Sequence, residues 1–166
     1  MYVTHRNIPP SDAGVLLTAD VMSKMVREAR TDPPVRAAAA GILWSSGGRP
    51  DDFPAALARW LEAHTQLEED PYNVELLRTP AYALQVIRED GVLRGDCDDV
   101  ATLAAGLAEA AGFASRFVLL AWIGPWQHVY TEVLAPGPPA LWVSMDIQRP
   151  QGPRPGPTRE MFVYPL

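Results

Sequence analysis

The apolar residues of this chain change period at Gly112, and that change restricts its fold more than any other feature. Upstream, Leu57, Trp60, Leu61, His64 and Leu67 recur at three and four residues, and so do Val100, Leu103, Ala104, Leu107, Ala108 and Ala111. That spacing puts each set on one face of a helix. Downstream, residues 115–122 are β-branched and aromatic, and residues 127–134 and 141–147 alternate, the pattern of half-buried strands. Helices first and strands second predict an α+β fold in which an antiparallel sheet packs on the helical part.

Punctuation places the elements. Residues 1–16 show no clear period, and Thr18 is read as the cap of a helix over about 19–30. Asp32-Pro33-Pro34 stops that helix and starts an Ala-rich one over 35–44. A third helix is expected over about 54–69, ended by Asp70-Pro71-Tyr72-Asn73. Thr79-Pro80 reads as a cap and first turn for a helix to about Glu89, and residues 91–95 as a link. The next helix spans about 97–111, with Gly112 as its C′ residue. Ala135-Pro136-Gly137-Pro138-Pro139 separates the two alternating strands as a hairpin loop. Residues 148–157 are rich in Pro and Gly and read as a surface segment, after which Met161 to Tyr164 can add a last strand.

Bulk properties exclude several classes. A chain of 166 residues is most simply one compact domain with a core of its own. Its net charge of −6 argues against nucleic acid as the main partner. No stretch approaches the roughly 18 apolar residues of a membrane span, and Met1 to Pro10 has no apolar signal region, so a cytoplasmic location is expected. A single cysteine rules out an internal disulfide and a Cys-rich zinc site. There is no P-loop, GxGxxG or HExxH pattern.

That cysteine, Cys97, lies in the first turn of its helix. Free N–H groups and the helix dipole there favour a thiolate and can hold an oxyanion. Asp96, Asp98 and Asp99 oppose this by charge, although Asp96 as an N-cap would give its carboxylate to backbone donors. His128 opens the first alternating strand and Asp146 closes the second. A hairpin symmetric about Gly137 sets them directly opposite, with Cβ atoms about 4.5–5.5 Å apart. Cys, His and Asp in this order fit nucleophile, base and orienter. Each also has a plain structural reading: a small buried residue, a half-buried strand histidine, a strand-end aspartate. The three aspartates offer hard-cation ligands without an EF-hand loop, and read more simply as acids in a helix's first turn. His5 lies in unpatterned sequence, and His64, on an apolar stripe, reads as packed or partly exposed.

These segments resemble a known family. Residues 95–103 fit G-x-C-x-D-x-A-x-L, Arg116-Phe117-Val118 an Arg-x-Val strand, residues 128–133 H-x-[WY]-x-E-V, and Trp142 to Asp146 W-x-x-x-D. Together they are similar to the core of transglutaminase-like proteins, with Asp70 to Asn73 and Thr79-Pro80 similar to compact bacterial and phage-type members. The similarity runs over roughly 55–148. It implies a papain-like catalytic core over 51–148; the rest of the chain, read as an N-terminal helical extension over 1–50 and a Pro-rich C-terminal segment over 149–166, lies outside the resemblance. It further implies Cys97 as nucleophile, His128 as base and acid, and Asp146 as the group orienting the imidazole. The implied chemistry is cofactor-free attack on an amide, through a thioester, in a protein or peptide substrate. Trp60, Gln85 and Asn73 are candidates for the oxyanion partner, with Trp60 fitting the core better. The rival reading is a non-catalytic phage or prophage assembly protein on the same fold, virion-associated and with a phage or bacterial protein as partner. The role of residues 1–50 stays open between a helical cap, a partner-binding face and a cleft wall.

Overall fold

The computed structural model describes residues 2–6, 11–70, 74–147, 156–157 and 159–165. In chain order they form β1 (Tyr2–Arg6), α1 (Asp12–Ala29), α2 (Pro33–Ser45), a 3₁₀ turn (Pro50–Asp52), α3 (Phe53–His64), β2 (Thr65–Leu67), β3 (Val74–Arg78), α4 (Pro80–Asp90), β4 (Leu93–Gly95), α5 (Cys97–Ala110), β5 (Ser115–Ala121), β6 (His128–Ala135), β7 (Leu141–Ser144) and β8 (Arg159–Val163). The last four strands make one antiparallel sheet in the order β7-β6-β5-β8. Two smaller pairs, antiparallel β1-β3 and parallel β2-β4, lie among the helices in sequence. The expected α+β architecture is therefore present, with the strand expected near the C-terminus paired to β5. No helix among the described residues is long and apolar enough to cross a membrane.

Helix α5 is the centre of the fold. Residues 98–108 are all buried, and eight of the eleven are Ala, Gly, Leu or Val on every face, as a helix surrounded by partners requires. Small side chains let neighbours approach closely: a Cβ on Gly106 would lie 2.6 Å from Pro80 at the start of α4 and 3.3 Å from Ala29 of α1. The sheet covers another face of α5, where the buried Thr131 hydroxyl donates to the Ala101 carbonyl at 2.7 Å. Leu103, Leu107 and Val133 join α2, α3 and α4 in one apolar cluster. Ala101 and Ala105 join Met22, Met25 and Val26 of α1 with Phe117 and Leu119 of β5 in another. Gly112, at φ +88°, ends α5 as the sequence predicts.

Some boundaries differ from the sequence reading. Helix α1 begins at Asp12 rather than near Ala19, because Ser11 is the N-cap and accepts from the Gly14 N–H. Helix α3 stops at His64 instead of continuing to 69. The Thr65 hydroxyl donates to the Leu61 carbonyl at 2.9 Å, and the chain then extends to pair with β4, leaving Leu67 exposed rather than on the apolar stripe. Residues 91–95, expected as a link, contain β4. The expected break at Pro71 to Asn73 and most of the Pro-rich stretch over 148–157 lie outside the described residues.

The hairpin register is also corrected. Glu132 pairs with Ser144, Val133 with Val143, Leu134 with Trp142 and Ala135 with Leu141, so the turn centres on Pro138 and not Gly137. Val133 and Val143 both pack into the core cluster of α5, and that packing sets the register rather than the symmetry of the loop. The displacement is two residues, so each side chain keeps its face.

Candidate active site

The site is assembled where α5 begins. Gly95 ends β4, and the Asp99 side chain fills the space where a Gly95 side chain would stand: a Cβ there would lie 2.9 Å from the Asp99 Cβ. Asp99 is fully buried and receives Arg78 twice, by the backbone N–H on Oδ1 at 2.9 Å and by the guanidinium on Oδ2. Burial pushes the Asp99 carboxyl up to about 7, against the pull of the Arg78 charge and with the Asp96 charge adding to the rise. Gly95 and Asp99 thus hold the strand-to-helix turn that presents Cys97.

Cys97 is the first residue of α5 and is partly buried. Asp96 occupies the N-cap position with φ −90° and ψ −165°, yet its side chain makes no capping hydrogen bond, contrary to the sequence expectation. The oxygens of Asp96, Asp98 and Asp99 come within 4.8 Å of one another. Both oxygens of Asp99 already serve Arg78, so a cation there would compete with an existing ion pair.

His128 is the first residue of β6 and meets Asp146 beyond the end of β7, with His128 Nε2 3.2 Å from Asp146 Oδ1. The His128 side chain is 19% exposed and that of Asp146 only 6%. Asp146 is held by its own backbone: its N–H donates to the Ser144 hydroxyl at 3.1 Å, and the Ile147 N–H closes a tight turn on the Met145 carbonyl at 2.9 Å. Next to His128, Gln127 ties the loop that leads into β6. Its side-chain oxygen accepts from the N–H groups of Trp122 and Ile123 at 2.9 and 3.0 Å, while its own N–H donates to the Leu120 carbonyl at 2.9 Å.

Cys97 and His128 line one cavity of about 250 Å³. Asp96, Asp98, Trp126 and Gln127 line it as well, together with residues of α1. Of the three roles open to the first 50 residues, the structure thus places α1 in the cleft wall. The fold brings a thiol into the same cavity as an imidazole whose Nε2 faces a buried carboxylate. Such a set can supply a nucleophile, a proton carrier and an orienting group.

The other candidates fall elsewhere. Trp60 stacks on His64 at 4.5 Å, and His64 Nδ1 lies 2.8 Å from the Trp60 carbonyl oxygen, so both serve the end of α3. Gln85 is exposed and donates to Glu89 at 2.9 Å. Asn73 lies outside the described residues, and so does the side chain of His5. Arg116 and Glu132 stand opposite each other in the sheet and bond at 2.6–2.7 Å, which gives those two motif residues a structural part.

Three residues beside the site escape the sequence reading. The Asp12 carboxylate accepts from the Trp126 N–H at 3.3 Å and from the Arg159 guanidinium at 2.7 and 3.0 Å. Arg159 also donates to the Gly124 carbonyl at 2.9 Å and lies over the Trp126 ring, 4.5 Å from its centroid. Ser11-Asp12 is a cap signature that points to Asp12; Arg159 has no local signal, since its partners lie far away in sequence.

The sequence profile of the Transglutaminase-like superfamily matches residues 37–147. No curated protein and no solved structure matches the chain.

Proposed function

The chain belongs to the transglutaminase-like superfamily, and from that premise we propose that it is a cysteine-dependent amide hydrolase or acyltransferase that uses Cys97, His128 and Asp146. The observation that carries this reading is the shared cavity of Cys97 and His128, with His128 Nε2 held at 3.2 Å by Asp146. With Nε2 committed to the carboxylate, Nδ1 is the ring nitrogen that exchanges a proton with the thiol. The Cys97 thiolate attacks the substrate carbonyl and forms a tetrahedral oxyanion. The N–H groups at the start of α5 are suited to stabilise that charge. As the C–N bond breaks, the imidazolium gives its proton to the departing amine and a thioester remains. His128 then takes a proton from water, which yields the acid, or from an incoming amine, which yields a new amide. Either step releases the Cys97 sulfur. The substrate is a protein or peptide amide.

The test is the alkylation rate of Cys97 by iodoacetamide from about pH 4 to about pH 10, in the wild type and in His128→Ala. A fast reaction at about pH 5–6 that slows without His128 is the expected result. A slow reaction that rises only above about pH 8.5, alike in both proteins, would mean an ordinary thiol and a non-catalytic role.

A further inference from the structure

The family match begins at residue 37 and ends at 147, so α1 and β8 both lie outside it. Yet α1 contributes Val15, Thr18, Ala19 and Met22 to the cavity that holds Cys97 and His128. These four positions form one stripe of a helix. The sheet adds Leu119 and Val129, which stand opposite each other on β5 and β6. The wall is held firmly. Asp12, at the start of α1, binds both the backbone of cavity-lining Trp126 and the Arg159 side chain of β8 that covers the Trp126 ring. The two segments that flank the family core thus converge on one side of the cavity.

We infer that α1 makes this cavity a specificity pocket for an uncharged, apolar side chain, aliphatic or aromatic, next to the amide carbonyl that Cys97 attacks. The inference rests on the role proposed for Cys97. Its chemistry follows from the lining: the α1 and sheet side chains are mainly apolar, the carboxylates of Asp96 and Asp98 also line it, and no Lys or Arg does so among the described residues. An anionic side chain would therefore meet the like charge of Asp96 and Asp98. The volume of about 250 Å³ falls just below the roughly 300–1,000 Å³ typical of pockets that bury a drug-sized ligand, which suits a single side chain.

Alkylating reagents test the pocket without a known substrate. The rates of iodoacetamide, N-benzyl-iodoacetamide and iodoacetate with Cys97 are each divided by the rate of the same reagent with glutathione. In the wild type the normalised N-benzyl rate should exceed the iodoacetamide rate by about tenfold, the gain from burying part of one aromatic ring. Iodoacetate should fall below both. Val15→Trp, which fills the cavity, should bring the N-benzyl preference near unity. Leu17→Trp, on an exposed position of α1 that does not line the cavity, should keep it. Val15→Glu provides a second disruption if the Trp variant folds poorly by circular dichroism. A wild-type ratio near unity, or a ratio equal in the Val15 and Leu17 variants, overturns the pocket. Because the ratio cancels the intrinsic reactivity of the thiol, it judges the pocket separately from whether His128 activates Cys97.

Discussion

His128 reaches Asp146 along a diagonal of the sheet. The ladder pairs Glu132 with Ser144, and the Met145 N–H still donates to the Thr131 carbonyl at 2.8 Å, so the same register would put Asp146 opposite Tyr130. Diagonal neighbours on one face remain within reach of long side chains. Here the tight turn over Asp146 brings its Oδ1 to 3.2 Å from His128 Nε2.

That contact makes Asp146→Asn informative. The amide is nearly isosteric, so the fold should survive with a melting temperature close to that of the wild type. It cannot supply the charge that favours an imidazolium, and it permits the wrong tautomer. In a working triad this costs roughly 10⁴-fold in turnover, and the low-pH shoulder of Cys97 alkylation should disappear. An Asp146→Asn protein with the alkylation profile of the wild type would remove Asp146 from the proposed mechanism.

Gly95→Ala should destabilise the protein by about 1–3 kcal/mol, the usual cost of overpacking. The added Cβ would stand 2.9 Å from the Asp99 Cβ and 3.1 Å from its Cγ. The backbone has little room to yield, because Gly95 pairs with Leu67 and its carbonyl accepts from the Glu68 N–H at 2.8 Å. Gly41→Ala is the matched comparison: it lies inside α2 with nothing within 4 Å of the new Cβ. It should stabilise by roughly 0.5–1 kcal/mol through helix propensity. Urea unfolding of both variants checks the pair, and equal effects would contradict the packing account of the Gly95–Asp99 turn.

Arg159→Ala should loosen the loop before β6 without unfolding the protein. The Arg159–Asp12 pair is solvent-exposed, so its loss should hardly move the melting temperature. The same side chain, however, also bonds the Gly124 carbonyl and covers Trp126. Chymotrypsin should therefore cut after Trp122 or Trp126 severalfold faster in the variant, as local opening becomes easier. Acid should act in the same direction. The Arg159 hydrogen bond holds the Asp12 carboxyl below its ordinary value, so the contact is complete above that value and is lost as pH falls through the lowered one. Unchanged cleavage in Arg159→Ala would show that Gln127 and the Asp12–Trp126 hydrogen bond hold the loop without Arg159.

What the sequence could reveal follows the range of the signal. Cys97 in the first turn of α5, the strand of His128 and the stop at Gly112 all rest on local patterns, and each is found in place, whereas the strand expected over 141–147 ends at Ser144, before Asp146. Strand β2 is three residues long and acquires its structure only by pairing with β4, some 28 residues away, so the helical period simply reads through it to Leu67. The register of β6 and β7 depends on Val133 and Val143 meeting in the core, which loop composition does not encode. Arg78 and Asp99 are 21 residues apart and meet only after β3 and α5 pack together. The position of α1 in the cavity wall is likewise a tertiary fact: its apolar residues Val15 and Met22 face the site, while its neighbours Leu16 and Leu17 stay exposed and blur the period.

Asp99 should give the protein a measurable pH dependence of stability. Its ordinary value is 3.8 and its folded value about 7, raised chiefly by burial and held back by the Arg78 charge. Between those values the folded protein keeps a proton that the unfolded chain has released. Stability from this group is therefore fully present below about pH 4, declines as pH rises, and is exhausted above about pH 7. Asp99→Asn carries no titratable group there, so the difference between wild type and variant isolates the contribution. Urea unfolding at intervals from about pH 4 to about pH 8 should show the wild type losing ground relative to Asp99→Asn until neutral pH, then a constant difference. A difference that is flat across this range, or that grows with pH, would mean that the Arg78 guanidinium keeps Asp99 ionised throughout. The turn that presents Cys97 would then rest on a permanent ion pair.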